Sequence, residues 1–160
     1  MRRALLALAI FAAPAQARDS LGIWNEWGAF RDSGVPRCYA IAMAHASSRR
    51  TNQSQPYLSI GIWPKRGVRG EVHFHLSRRL TAGAEAVLTI GSDKYPLLTG
   101  AGDAWAADKR MDAAIIAALR SARNLAISAR AADGLAFRDL YHLDGAASAM
   151  DAAALGCAQN

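Results

Sequence analysis

From residue 24 to residue 107 the apolar positions mostly recur every second residue, the period of a strand with one buried face. The run "WNEWGAF" (24–30) predicts a first strand, closed by the turn "RDSGVP". In "RCYAIAM" (37–43) Tyr39, Ile41 and Met43 alternate with Cys38, Ala40 and Ala42. "YLSIGIW" (57–63) places Leu58, Ile60 and Ile62 on one face, and "EVHFHL" (71–76) does the same with Val72, Phe74 and Leu76. The basic turn "PKRGVRG" separates these two strands. "EAVLTIG" (85–91) aligns Ala86, Leu88 and Ile90, and "SDKYPLL" and "DAWAAD" read as short edge pieces around the turn "TGAG". The polar run at 45–56 has no period and predicts a long exposed loop.

The period then changes. Asp108 is placed to cap a helix starting near Lys109, whose stripe is Met111, Ile115, Leu119 and Ala122; Arg120 and Arg123 fall in its last turn. Asn124 stops it, and strands resume with "LAISARA" (125–131) and "LAFRDLYHL" (135–143) around the turn Asp133-Gly134. A final helix carries Ala146, Met150, Ala153 and Cys157 on one stripe. Asp144 or Ser148 is its expected cap, Ser148-x-x-Asp151 approximates a capping box, and Gly156 is its expected end. Strand-period segments with turns every 8–12 residues predict a mainly β, antiparallel sandwich or barrel, with one inserted helix and a short C-terminal helix.

The first 17 residues have a different character. Arg2-Arg3 precedes an apolar run from Ala4 to Ala13, then Pro14 and the small-x-small pattern Ala15-Gln16-Ala17. This is the pattern of a secretory signal peptide cut after Ala17, and the run is far short of the roughly 20 residues of a spanning helix. No cysteine follows the cut, which disfavours a lipid anchor. The expectation is a periplasmic or secreted chain with a single domain over 18–160 and no transmembrane segment. Removing Arg2 and Arg3 takes the formal charge from +6 to about +4. Export disfavours nucleic acid as a partner.

Only Cys38 and Cys157 are present. In an oxidising compartment the default is one disulfide between them, against free thiols or a redox pair, which usually sits as Cys-x-x-Cys. It closes a loop of roughly 120 residues, worth about 5 kcal/mol in chain entropy.

Catalytic signatures are missing: no G-x-S-x-G elbow, phosphate loop, dinucleotide fingerprint, H-E-x-x-H or EF-hand occurs. His73 and His75 share one face of a strand about 7 Å apart, as metal ligands on β-scaffolds do. His45, His142 or a carboxylate would have to complete that site, and the competing reading is a pair of solvent-facing histidines. Asp103, Asp108 and Asp112 are the densest acidic group, and capping accounts for them better than acid–base work. Arg49, Arg50, Lys65, Arg66, Arg69, Arg78 and Arg79 fall in turns or strand ends. They form either an anion-binding rim or solvated loops. Trp24, Trp27, Trp63 and Trp105 serve either a ligand groove or the core.

Taken in order, "WGAF", "RCYAIAM", "YLSIGIWP", "GEVHFHLS", "AVLTIGSDKYPLL", "MDAAIIAALRSARNLAI" and "FRDLYHLDGAASAMDAAALGC" resemble the invasion-associated locus B family of exported bacterial proteins. The chain would be a divergent member, with few cysteines and a long polar loop. The resemblance implies a β-sandwich rather than a barrel, here expected to be immunoglobulin-like, a periplasmic or surface location, an unidentified protein or envelope partner and, for some members, a part in host-cell entry. It implies no enzymatic activity and no cofactor.

Overall fold

A computed structural model describes residues 18–32, 34–47 and 55–158. The expected signal peptide and the two arginines Arg49 and Arg50 lie outside them. Among the described residues, eleven strands form one antiparallel sheet in the order β1-β2-β3-β5-β6-β9-β8-β7-β10-β11-β4. In chain order these are β1 (Arg18–Trp24), β2 (Trp27–Asp32), β3 (Arg37–Met43), β4 (Ala46–Ser47), β5 (Tyr57–Trp63), β6 (Val68–His75), β7 (Ala86–Ile90), β8 (Asp93–Thr99), β9 (Asp103–Trp105), β10 (Asn124–Arg130) and β11 (Ala136–His142). Two helices, α1 (Lys109–Leu119) and α2 (Ala146–Ala158), complete it. The fold is therefore mainly β and antiparallel, with one inserted and one C-terminal helix.

The sheet bends back on itself. After β3 the chain turns at Ala44 and His45, and β4 pairs with β11 on the far side of the strand order. The His45 N–H donates to the Leu140 carbonyl at 3.0 Å at that crossing. The two halves thus face one another, with the Phe74 ring of β6 edge-on to Tyr141 of β11 at 6.1 Å. This two-layer arrangement is consistent with the expected sandwich. Its inner face follows the period-two reading: Cys38, Ala40, Ala42, Leu58, Ile60, Val72 and Phe74 are all buried in one core.

Several local expectations need correction. The segment 24–30 is not one strand, because the chain reverses at Asn25-Glu26 and pairs Trp24 with Trp27. Asn25 adopts φ 52, a left-handed conformation that asparagine tolerates better than most residues. The "SDKYPLL" and "DAW" pieces are central in the strand order rather than at its edge. β8 pairs with β7 over Asp93–Leu97 and with β9 only at Leu98 and Thr99. Pro96, which lacks an N–H, therefore sits where β8 has a single neighbour.

Asp108 caps α1 as expected, its carboxylate accepting the Met111 N–H at 2.8 Å. The helix stops at Leu119, so Arg120 is its C-cap and Arg123 lies beyond it. Arg78 is neither rim nor solvated loop: it is buried and pairs with Asp133. Beside it the buried Asp139 accepts the Ser77 N–H at 3.0 Å, anchoring the crossover from β6 to β7.

The final helix keeps its predicted stripe, with Ala146, Ala149, Met150, Ala153 and Cys157 buried. Its ends differ from expectation. It starts at Ala146, with the Gly145 carbonyl accepting the Ala149 N–H, so neither Asp144 nor Ser148 occupies the cap position. Asp151 pairs with Arg120 at 2.6 Å instead of closing a capping box. Gly156 lies inside the helix, where a Cβ would come within 2.5 Å of the Leu21 side chain on β1. Small residues on both surfaces, including Ala29 and Ala40 beneath the helix, allow this close approach. Cys157 is bonded to Cys38 on β3, at a sequence separation of 119.

Candidate functional site

The inner face of the first half-sheet (β1-β2-β3-β5-β6-β9, joined through β8 to β7-β10-β11-β4) is covered by α2 and by that second half. Its outer face is covered by no described element, and pairing assembles it from distant strands. Ile23, Gly28, Ile41, Ser59, His73, Trp105 and Leu98 stand side by side in one row. Met43, Tyr57, His75 and Asp103 form the row beside it. Ile23, Met43 and Leu98 are each more than half exposed.

His73 and His75 share this face, as alternation along β6 requires. The structure adds their common partner. A single oxygen of Asp103 lies 3.0 Å from His73 Nε2 and 2.9 Å from His75 Nδ1. β9 supplies that carboxylate because His75 and Asp103 are register partners. The Tyr57 ring stacks on His75 at 5.2 Å, and Trp105 stacks on His73 at 5.4 Å. Burial works against the charged form of Asp103, but hydrogen bonds from His75 and His73 together outweigh it and hold the carboxyl below its usual range. Burial, then the Asp103 charge, pushes the Tyr57 phenol up.

A second cluster occupies the neighbouring end of the same face. The Trp63 ring lies over Gly61, where a Cβ would come within 2.3 Å of it, and Phe30 covers Gly28 in the same way. Arg66 stands 5.6 Å from the Trp63 ring centre and Arg37 6.0 Å. Arg37 also lies 4.7 Å from the Tyr39 ring and bonds to Asp32 at 2.8 Å. Burial, followed by the Asp32 charge, raises the Tyr39 phenol.

The other predicted site residues separate. Trp27 is fully buried and Trp24 packs against the core, so only Trp63 and Trp105 reach the outer face. Asp112 accepts the Val72 N–H at 2.8 Å, at a point of β6 beyond the end of β9. With Asp108 as a cap, Asp103 is the one member of the acidic group that joins the histidines. Arg66 and Arg69 are both exposed. His45 and His142 lie away from His73 and His75, stacked on each other at 3.7 Å.

Reasoning along the sequence missed Asp103 as a partner, along with Tyr57 and the Gly61–Trp63 pairing. The available signal was the spacing Gly-x-aromatic, which recurs at Gly28–Phe30 and Gly61–Trp63 and places a ring over a bare stretch of sheet.

The Asp103 network carries a pH signature. A carboxyl held below its unfolded value stabilises the native state above the ordinary carboxylate range and loses that effect as pH falls through the lowered value. Asp103→Asn should therefore be less stable than the native protein near neutrality. The gap should close as pH drops from about 5 to about 2, and melting temperatures across that range would test it. A gap independent of pH would remove Asp103 from the network.

No family model, curated protein or solved structure matches this chain.

Proposed function

We propose that the chain is an exported envelope protein of the invasion-associated locus B type. On this reading it is non-enzymatic and binds an acidic partner protein through the outer face of its first half-sheet. The observation that carries the reading is that face itself. It is an uncovered surface in which the half-buried Phe30, Tyr57, Trp63 and Trp105 are interleaved with Arg37, Arg66 and exposed apolar side chains. Aromatic residues and arginine are the types enriched at the energetic centres of protein interfaces. The arginines beside Trp63 and the chain's net positive charge complement a negatively charged partner. The disulfide suits an oxidising compartment, and no described helix is long and apolar enough to cross a membrane.

The test places a photo-crosslinking residue at Tyr57 and, as control, at Glu85 on the turn before β7, in cells expressing the protein. The expected result is one discrete adduct from position 57 and none from 85. The captured protein, once purified, should bind the native chain in a salt-sensitive manner. Trp63→Ala or Trp105→Ala should weaken binding by about tenfold or more. Equal labelling from both positions, or a purified partner indifferent to both substitutions, would overturn the assignment. Binding to anionic vesicles or heparin that is lost with Arg66→Glu and Arg69→Glu would replace it with recognition of an acidic lipid or glycan.

A further inference from the structure

Three segments far apart in sequence meet at the corner where the sheet folds over. The β1–β2 turn brings Glu26, the crossover after β3 brings His45, and the end of β11 brings His142. One ligand atom from each lies within 4.8 Å of the others, and no other set of three His, Cys, Asp or Glu residues among the described residues meets that condition. His73, His75 and Asp103 do not meet it, although one oxygen joins them.

The support around this cluster is unusual for surface side chains. His142 Nδ1 lies 2.8 Å from Asn124 Oδ1, so the ring donates there and keeps its Nε2 lone pair for another partner. A histidine held in this way by an amide oxygen is the usual arrangement behind a metal-bound imidazole. The strand end carrying His142 is tied to the hairpin carrying Glu26, since Trp27 Nε1 donates to the His142 carbonyl at 2.9 Å. On the same hairpin, the Trp24 carbonyl lies against Gly145, where a Cβ would be only 2.2 Å away. Asn25, immediately before Glu26, is the only non-glycine residue with positive φ among the described residues. The turn and the strand end therefore fix the backbone that carries Glu26 and His142, and Asn124 orients the His142 ring, before any ion arrives. Glu26 and His142 also line a cleft of about 910 Å³, together with Asn124, Asp144 and Arg123.

We infer that Glu26, His45 and His142 form a binding site for a first-row transition ion, with Zn²⁺ the best fit. Two imidazoles and one carboxylate suit zinc, copper or nickel, whereas calcium and magnesium prefer oxygen donors alone. Three protein ligands leave one position of a tetrahedral ion for water or a further ligand. The two exposed rings are stacked nearly parallel at 3.7 Å, so binding one ion requires His45 to leave the stack and tilt its ring plane toward the Nε2 of His142. The bound ion would pin the β3–β4 crossover to the hairpin.

The experiment is a calorimetric titration of tag-free, metal-stripped protein with ZnCl₂ alone. One ion per chain is expected, together with a rise in melting temperature on loading. His45→Ala and His142→Ala should each weaken binding by about 100-fold, and Asn124→Ala by about 10- to 100-fold, through loss of the fixed tautomer. All three positions are exposed, so circular dichroism should be unchanged. The double variant His73→Ala/His75→Ala should bind as the native chain does. No saturable binding, binding that survives His45→Ala and His142→Ala, or loss in the His73/His75 variant instead would each overturn the site. These outcomes are independent of the partner-binding test, which uses the outer face of the sheet.

Discussion

Replacing both cysteines by alanine, Cys38→Ala with Cys157→Ala, should lower the free energy of unfolding by about 4–5 kcal/mol. The bond joins residues 119 apart, and a loop of that size removes about that much chain entropy from the unfolded ensemble. The native structure has reason to persist without it. α2 still buries Ala146, Ala149, Met150 and Ala153 against β1, β2 and β3. The effect should therefore appear as a shifted urea midpoint with native circular dichroism. The oxidised protein, unfolded in the presence of a reductant, should move to nearly the same midpoint. A loss under about 1 kcal/mol would show that the unfolded chain is already restricted, or that the bond does not form in the natural compartment.

Gly145→Ala is the second large effect. Gly145 has φ 93, a conformation that L side chains rarely adopt, and its missing Cβ would fall 2.2 Å from the Trp24 carbonyl oxygen and 2.8 Å from its carbon. Those neighbours are backbone and cannot swing aside. Backbone strain of about 1–3 kcal/mol and overpacking of a similar size point to a loss of about 2–5 kcal/mol. Gly134→Ala is the matched control. Gly134 has φ 82, but nothing lies within 4 Å of its added Cβ, so only the backbone term of about 1–2 kcal/mol applies. Equal losses for the two variants, measured by urea unfolding, would mean that the turn before α2 does not pack on the hairpin as described.

Much of the fold was legible along the chain because its strands have one wet and one dry face. Val72, Phe74 and the pair His73/His75 could be sorted by counting residues. So could the buried stripe of α2, and Asp108 announced itself as a cap. The hairpin at Asn25-Glu26 was harder, because tryptophans on both sides of the turn continue an apolar run. The ends of α2 were misread for a related reason: Asp151 and Gly156 are capping residue types, yet tertiary contacts with Arg120 and Leu21 employ them differently.

The candidate sites were less legible still. That His73 and His75 share a face follows from period two. That they share Asp103 depends on β6 pairing with β9 across an intervening β-hairpin of β7 and β8, which no local pattern specifies. Glu26, His45 and His142 were further out of reach. They meet only because the sheet folds over, brings β4 to β11 and seats the hairpin tip on the turn before α2.

The order of residues was enough to specify the alternation of strands, the two helices, the dry faces and the pair of cysteines available for a staple. These depend on short-range periodicity and on residue types whose behaviour is local. Which strands are neighbours, which face stays open and which polar side chains converge emerged from the folded chain alone. Those outcomes depend on register and on the packing of surfaces contributed by residues tens of positions apart.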